Sequence, residues 1–151
     1  MFRVGIIGPE STGKSTLATY LAHRYDAELI PEYAREYMER LAPCYEYNYD
    51  DVLAIAKHQV EQLQMHSNHL QIFDTELIIT VWFLHKYGHC PDFVEQALHD
   101  FPMDIYLLCY PDMPWQPDPV RENPNIRQYL FDWYEREIQN LDIPYYIIRH
   151  E

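Results

Sequence analysis

Near the start of the chain, Gly8-Pro9-Glu10-Ser11-Thr12-Gly13-Lys14-Ser15 satisfies the pattern G-x-x-x-x-G-K-[ST] at each required position. The apolar run Val4-Gly5-Ile6-Ile7 leads into it and Thr16-Leu17-Ala18-Thr19-Tyr20-Leu21 leads out, the strand, turn and helix that such a phosphate-binding turn needs. Gly8 and Gly13 allow consecutive N–H groups to point inward and form an anion-binding nest. The helix expected from about Lys14 aims its positive end at the same point. Lys14 supplies a mobile cation for the β- and γ-phosphates, and the Ser15 hydroxyl is a hard oxygen ligand suited to Mg²⁺. Thr16 falls in the first helical turn, beside the α-phosphate. The expected ligands are ATP and Mg²⁺, held by residues 8–16.

Four further groups have the chemistry to act with such a loop. Asp74 closes the apolar run Gln71-Ile72-Phe73, where a carboxylate supports the magnesium shell opposite Ser15; a cap for the helix starting at Glu76 is the other reading. Glu32 ends a second short strand. It would accept the proton of an attacking hydroxyl or hold that hydroxyl, or else be a first-turn acid favoured by the helix dipole. Arg121 within a proline-rich stretch and Arg127 just beyond it suit a lid over a transferring phosphoryl group, although Glu122, Asp132, Glu135 and Glu137 offer them ordinary ion pairs. Trp115, between prolines, is a stacking platform for a ring or an anchor for the loop.

Two histidine patterns are set aside. His58, His66 and His69 are read on one helix without a third ligand at a suitable spacing, hence as solvent-facing. His85-Lys86-Tyr87-Gly88-His89 is one residue too long for the H-x-G-H signature of a nucleotidyltransferase.

The elements that position these groups alternate. Strands are expected at 3–8, 27–30, 71–74, 104–110 and 143–149. Helices are expected at 15–25, with a face of Leu17, Tyr20, Leu21 and Tyr25; at 33–41; from Asp50 or Asp51 as cap to about Leu70, with a stripe of Val52, Ile55, Ala56, Gln59, Val60, Leu63 and Leu70; and at 76–87, 91–99 and 126–141. Continuous apolar strands alternating with helices predict a three-layer α/β/α fold on a five-stranded parallel sheet, with ligands outside the carboxyl ends of the strands. Residues 111–125 hold Pro111, Pro114, Pro117, Pro119 and Pro124, too dense for a regular element, so about 111–127 is read as a lid-like loop.

At 151 residues the chain is expected to be one domain. Asp and Glu number 24 against 11 Lys and Arg, a formal charge of −13, which disfavours a nucleic-acid groove and suits a neutral or cationic small molecule. Three cysteines without a C-x-x-C pair fit buried thiols in a reducing compartment. With no room for a leader before the first strand and no apolar run of about 18 residues, the reading is cytoplasmic, with no membrane partner.

Taken in order, the loop with Thr16, Glu32-Tyr33-Ala34-Arg35-Glu36-Tyr37, Phe73-Asp74-Thr75-Glu76, and Pro114-Trp115 with Asp118 and Arg121 resemble the kinase domain of NadR-type nicotinamide riboside kinases, within the P-loop NTPases. Similarity runs from Arg3 to about Ile148. The resemblance implies transfer of the ATP γ-phosphate to the 5'-hydroxyl of nicotinamide riboside. It also implies acceptor contacts from Glu32, Tyr33, Arg35, Trp115 and Asp118, and catalysis by Lys14, Glu32, Asp74, Arg121 and Arg127. A cationic ring suits both the acidic chain and an aromatic platform. Kinases for other nucleosides and a non-catalytic ATP-binding module remain open alternatives. In some relatives the kinase domain follows DNA-binding and adenylyltransferase segments, which have no room before Arg3, so neither activity is expected here. The chain departs from the pattern at Glu76, where the family has Asp; in a stiffer lid, Asp118-Pro119-Val120-Arg121-Glu122-Asn123-Pro124; and in stopping at Glu151, where such kinases continue into a loop beside the adenine and a final helix.

Overall fold

The computed structural model describes residues 2–9, 12–41, 48–65, 67, 69–111 and 126–149. Strand β1 (Phe2–Ile7) leads through the glycine-containing turn into helix α1 (Lys14–Arg24). The elements that follow are β2 (Glu28–Ile30), α2 (Tyr33–Glu39), α3 (Tyr49–Gln64), β3 (Leu70–Asp74), α4 (Leu77–Tyr87), α5 (Asp92–Asp100), β4 (Ile105–Cys109), α6 (Arg127–Leu141) and β5 (Tyr145–Ile148). The strands form one five-stranded sheet in the order β2-β3-β1-β4-β5, with each neighbouring pair parallel. Parallel order follows from the helical crossovers between strands, which cover both faces and explain the unbroken apolar runs.

Alternate residues of each strand feed two cores. Val4 and Ile6 of β1, Ile72 of β3 and Cys109 of β4 pack with Ala18 and Ala22 of α1. Ile7, Phe73, Tyr106 and Leu108 face the opposite way, into a larger core with α3, α4, α5 and α6. The three-layer α/β/α expectation is therefore met. Among the described residues no helix is long and apolar enough to cross a membrane.

Three local expectations are corrected. Helix α1 buries Ala18 and Ala22, whereas Tyr20 and Tyr25 are 61% and 60% exposed. The helix axis is fixed by the turn that starts it, and small side chains let it lie close to the sheet. Helix α3 ends at Gln64, not near Leu70, which instead opens β3. Arg3, 4% exposed, sends its guanidinium to Leu63 O at 2.8 Å and Met65 O at 3.0 Å, placing a cation on the negative end of the helix and stopping it there. At its other end the cap is Asn48, not Asp50 or Asp51. Asn48 Oδ1 accepts from the amides of Asp50 (3.0 Å) and Asp51 (3.3 Å), and Asp51 Oδ2 accepts from Asn48 N at 2.8 Å, a reciprocal capping box.

Candidate active site

At the end of β1 the chain turns away from the sheet through Gly8, whose φ of +152° disfavours side chains. A Cβ there would lie 2.8 Å from Cys109 O, so only glycine lets the turn pass this close to β4. Gly13 is left-handed at φ +81° and stands at the N-cap of α1. Thr12 Oγ1 donates to Pro9 O at 2.7 Å and Lys14 Nζ donates to the same oxygen at 2.9 Å. The loop is thereby cinched across its mouth, with the lysine ammonium held over it. Ser15 and Thr16 follow in the exposed first turn of α1. Glu10 and Ser11 lie outside the described residues.

The β1–β3 ladder aligns Ile6 with Asp74, and Thr75 N donates to Ile6 O at 2.9 Å. Thr75 then turns with φ +66°, leaving the Asp74 carboxylate directed at the loop. Ser15 Oγ donates to Asp74 Oδ2 at 2.7 Å. Two hard oxygen donors thus meet beside the glycine-containing turn, a donor set that fits Mg²⁺. Asp74 does not cap α4; that position belongs to Glu76, whose Oε1 accepts from Ile78 N at 2.9 Å.

Glu76 is where the sequence reading saw only a departure from a pattern. The same Oε1 also accepts from Tyr106 Oη at 3.1 Å, joining α4 to β4. Burial pushes the carboxyl up to about 7, against the pull of the Ile78 amide, the Tyr106 hydroxyl and the Arg3 charge. Burial and then the Glu76 charge hold the Tyr106 phenol well above its ordinary value, so it remains a donor. Relative to the unfolded chain, where the carboxyl titrates near 4.5, the folded state binds more protons between that value and about 7. Stability therefore falls as pH rises through this window and levels off above it, by an amount on the order of a few kcal/mol in all. Urea unfolding at pH 5 and pH 8 checks this: Glu76→Gln is expected to lose less stability between the two than the unaltered chain. Equal losses in the two proteins would remove Glu76 as the source.

Glu32 stands at the N-cap of α2 without capping it. Its Oε2 lies 3.7 Å from Arg35 Nε, with the two side chains 22% and 35% exposed. It reaches the same sheet edge as Asp74 and the loop, two strands from β1, about 10 Å at the usual strand spacing. A small hollow lined by Pro31, Gln59, Gln62, Phe73, Thr75 and Glu76 lies nearby, without Glu32 in its lining. Helix α2 is held to α3 by Tyr37 Oη donating to Asp51 Oδ1 at 2.7 Å and by Tyr33 stacked on His58 at 3.6 Å between centroids. His58 is thus not simply solvent-facing; His69 falls beyond the end of α3, so these histidines do not share one helix, and His66 is outside the described residues. Arg127 opens α6, while Trp115, Asp118, Arg121 and residues 112–125 of the lid-like loop lie outside the described residues. Cys90 and Cys109 are buried; Cys44 is likewise outside the described residues.

A family profile described as an AAA domain matches residues 3–151. The chain belongs to this AAA domain family. As an AAA-domain chain it is 29% identical over 125 residues to the trifunctional NAD biosynthesis/regulator protein NadR of Salmonella typhimurium and equally so to that of Escherichia coli. Each alignment covers 78% of this chain and 30% of the relative, so the chain spans about 30% of the length of those proteins. Among solved structures, a NadR protein in complex with NAD and AMP-PNP superposes with a TM-score of 0.77 at 23% identity, over 99% of this chain and 44% of that one. Thymidylate kinase from Ehrlichia chaffeensis superposes at 0.64 with 14% identity, over 99% and 87%. The AAA-domain chain thus has the P-loop fold of nucleoside and nucleotide kinases, and the NadR-type resemblance carried by its motifs is borne out.

Proposed function

We propose that this chain is an ATP-dependent phosphotransferase that moves the γ-phosphoryl group of ATP to the 5'-hydroxyl of nicotinamide riboside, giving nicotinamide mononucleotide. The observation that carries the reading is the 2.7 Å contact between Ser15 Oγ and Asp74 Oδ2 beside the cinched loop, with a carboxylate, Glu32, just past the end of β2, the strand next to that of Asp74. The likeness to NadR proteins, one of them in complex with NR, supports the choice of acceptor.

In this reading the nest from Gly8 to Thr16 and the positive end of α1 bind the triphosphate. Ser15 and Asp74 would hold Mg²⁺, which would offset phosphate charge when bound. Lys14 follows the γ-phosphoryl as charge develops. Glu32, kept in place by Arg35, orients the acceptor hydroxyl or takes its proton, as Asp74 would in the alternative assignment. Tyr33 and Arg35 border the acceptor; Trp115, Asp118, Arg121 and Arg127 complete the site by the family pattern.

Incubation with Mg-ATP and a panel of nucleosides tests this directly. Faster ADP release with nicotinamide riboside than with any other nucleoside is the expected result. Greater stimulation by a different nucleoside would reassign the acceptor, and ATP binding without stimulation by any would make the chain a nucleotide-sensing module. Glu32→Gln is expected to lower kcat by about 100-fold while leaving ATP affinity within about twofold, because the residue lies outside the loop. Unchanged kinetics in that variant would reduce Glu32 to a helix-end residue.

A further inference from the structure

Away from the nucleotide loop, three different metal-binding side chains converge where α4 hands over to α5. His85 lies in the last turn of α4, Cys90 just before α5 and Glu95 in its first turn, a spacing of H-x4-C-x4-E. Their donor atoms all lie within 4.8 Å of one another, and His85 Nε2 is 3.5 Å from Glu95 Oε1. A tetrahedral ion with bonds of about 2.0–2.3 Å has ligand-to-ligand edges of about 3.3–3.8 Å, so the imidazole–carboxylate edge already has the right length. His85 and Glu95 are about half exposed, at 50% and 51%, and free to rotate the remaining distance toward the sulfur. Cys90 is 2% exposed, which sets the sulfur on the inner side of a site open to solvent.

We propose that His85, Cys90 and Glu95 bind a divalent transition-metal ion of the Zn²⁺ class, with water as fourth ligand. Imidazole, thiolate and carboxylate together select such an ion over Mg²⁺ or Ca²⁺, which prefer oxygen alone. On binding, the Cys90 S–H proton passes to solvent and the sulfur lone pair forms the bond to the metal, releasing one proton per ion. Burial, and then the negative field of Glu95, Asp92 and Glu137, pushes the thiol up to about 11; the same field attracts a dication. The ligand-bearing turn is held from behind: Tyr49 Oη donates to His89 O, Gly88 N closes α4 on Leu84 O at 2.9 Å, and Val94 N donates to Pro91 O at 3.1 Å. Helix α4 has 11 residues, or about 16 Å of rise, between this cluster and the Asp74 end. The ion would therefore fasten α4 to α5 and take no part in phosphoryl transfer.

The test uses the whole chain with excess Mg²⁺ present and Co²⁺ as a spectroscopic probe for zinc. One equivalent of Co²⁺ should give a sulfur-to-cobalt charge-transfer band with tetrahedral d–d absorption, and Zn²⁺ should displace it. Cys90→Ala, which keeps an apolar group in the core, should abolish the band. His85→Ala and Glu95→Gln, at exposed positions that spare the fold, should each weaken Co²⁺ binding at least about 10-fold. Absence of the band at one equivalent would overturn the proposal. So would a band that survives Cys90→Ala, or one indifferent to both His85→Ala and Glu95→Gln.

Discussion

Lys14→Ala is expected to bring turnover below about one thousandth of the unaltered rate, with thermal stability nearly unchanged. The lysine opens α1 and its ammonium already rests on Pro9 O at 2.9 Å, at the mouth of the turn. Phosphoryl transfer requires little covalent chemistry from the protein and depends on positioning and on charge stabilisation of the equatorial oxygens. In a chain of net charge −13, removing the one cation built into the loop motif takes away the positive side chain that can follow the transferring group, which the loop amides and the helix dipole do not replace. The side chain is only half-buried, so its loss opens no apolar cavity. Steady-state ADP release at saturating acceptor, with a melting curve alongside, checks both halves. A variant retaining a tenth of the rate would exclude the ammonium from the transfer step.

Asp74→Asn is expected to cost at least about 100-fold in kcat and to raise the Mg²⁺ concentration needed for half-maximal rate. The substitution preserves shape, and an asparagine oxygen still accepts the Ser15 hydroxyl that Asp74 Oδ2 now receives at 2.7 Å, so the loss isolates the charge. Asp74 is 7% exposed, and solvent does little to replace a missing carboxylate there. Because Ser15 and Asp74 touch, Ser15→Ala in the Asp74→Asn background should cost less than it does alone, as coupled partners do. A near-normal rate in Asp74→Asn, or full additivity in the double variant, would sink the shared metal-holding role.

What was legible beforehand has a physical explanation. The inner strands β1, β3 and β4 were visible because a strand covered on both faces must be largely apolar, and the loop because its glycines and lysine carry their chemistry locally. The α3 stripe held from Val52 to Leu63 and failed at Leu70. The helix is stopped by Arg3, whose bond to Leu63 O spans 60 positions, a signal no local periodicity carries. Glu76 was read by its place in a motif, while its partner Tyr106 arrives from another strand. The proposed ligands His85, Cys90 and Glu95 do not share one helix, so no histidine spacing within a helix signals them, although their even spacing spans the end of α4. Glu32 and Arg35 were read as separate contacts; their 3.7 Å separation joins them as a pair.

The alignment of Ile6 with Asp74 has a kinetic consequence. Ser15 and Asp74 sit 59 positions apart, and the ladder between β1 and β3 must zip before the two can meet. Such long-range parallel pairing forms late, after the entropy of closing the intervening loop has been met. A nucleotide therefore has nothing to grasp in the early collapsed chain. Its presence should leave the refolding rate unchanged and act wholly by slowing the escape from the native state.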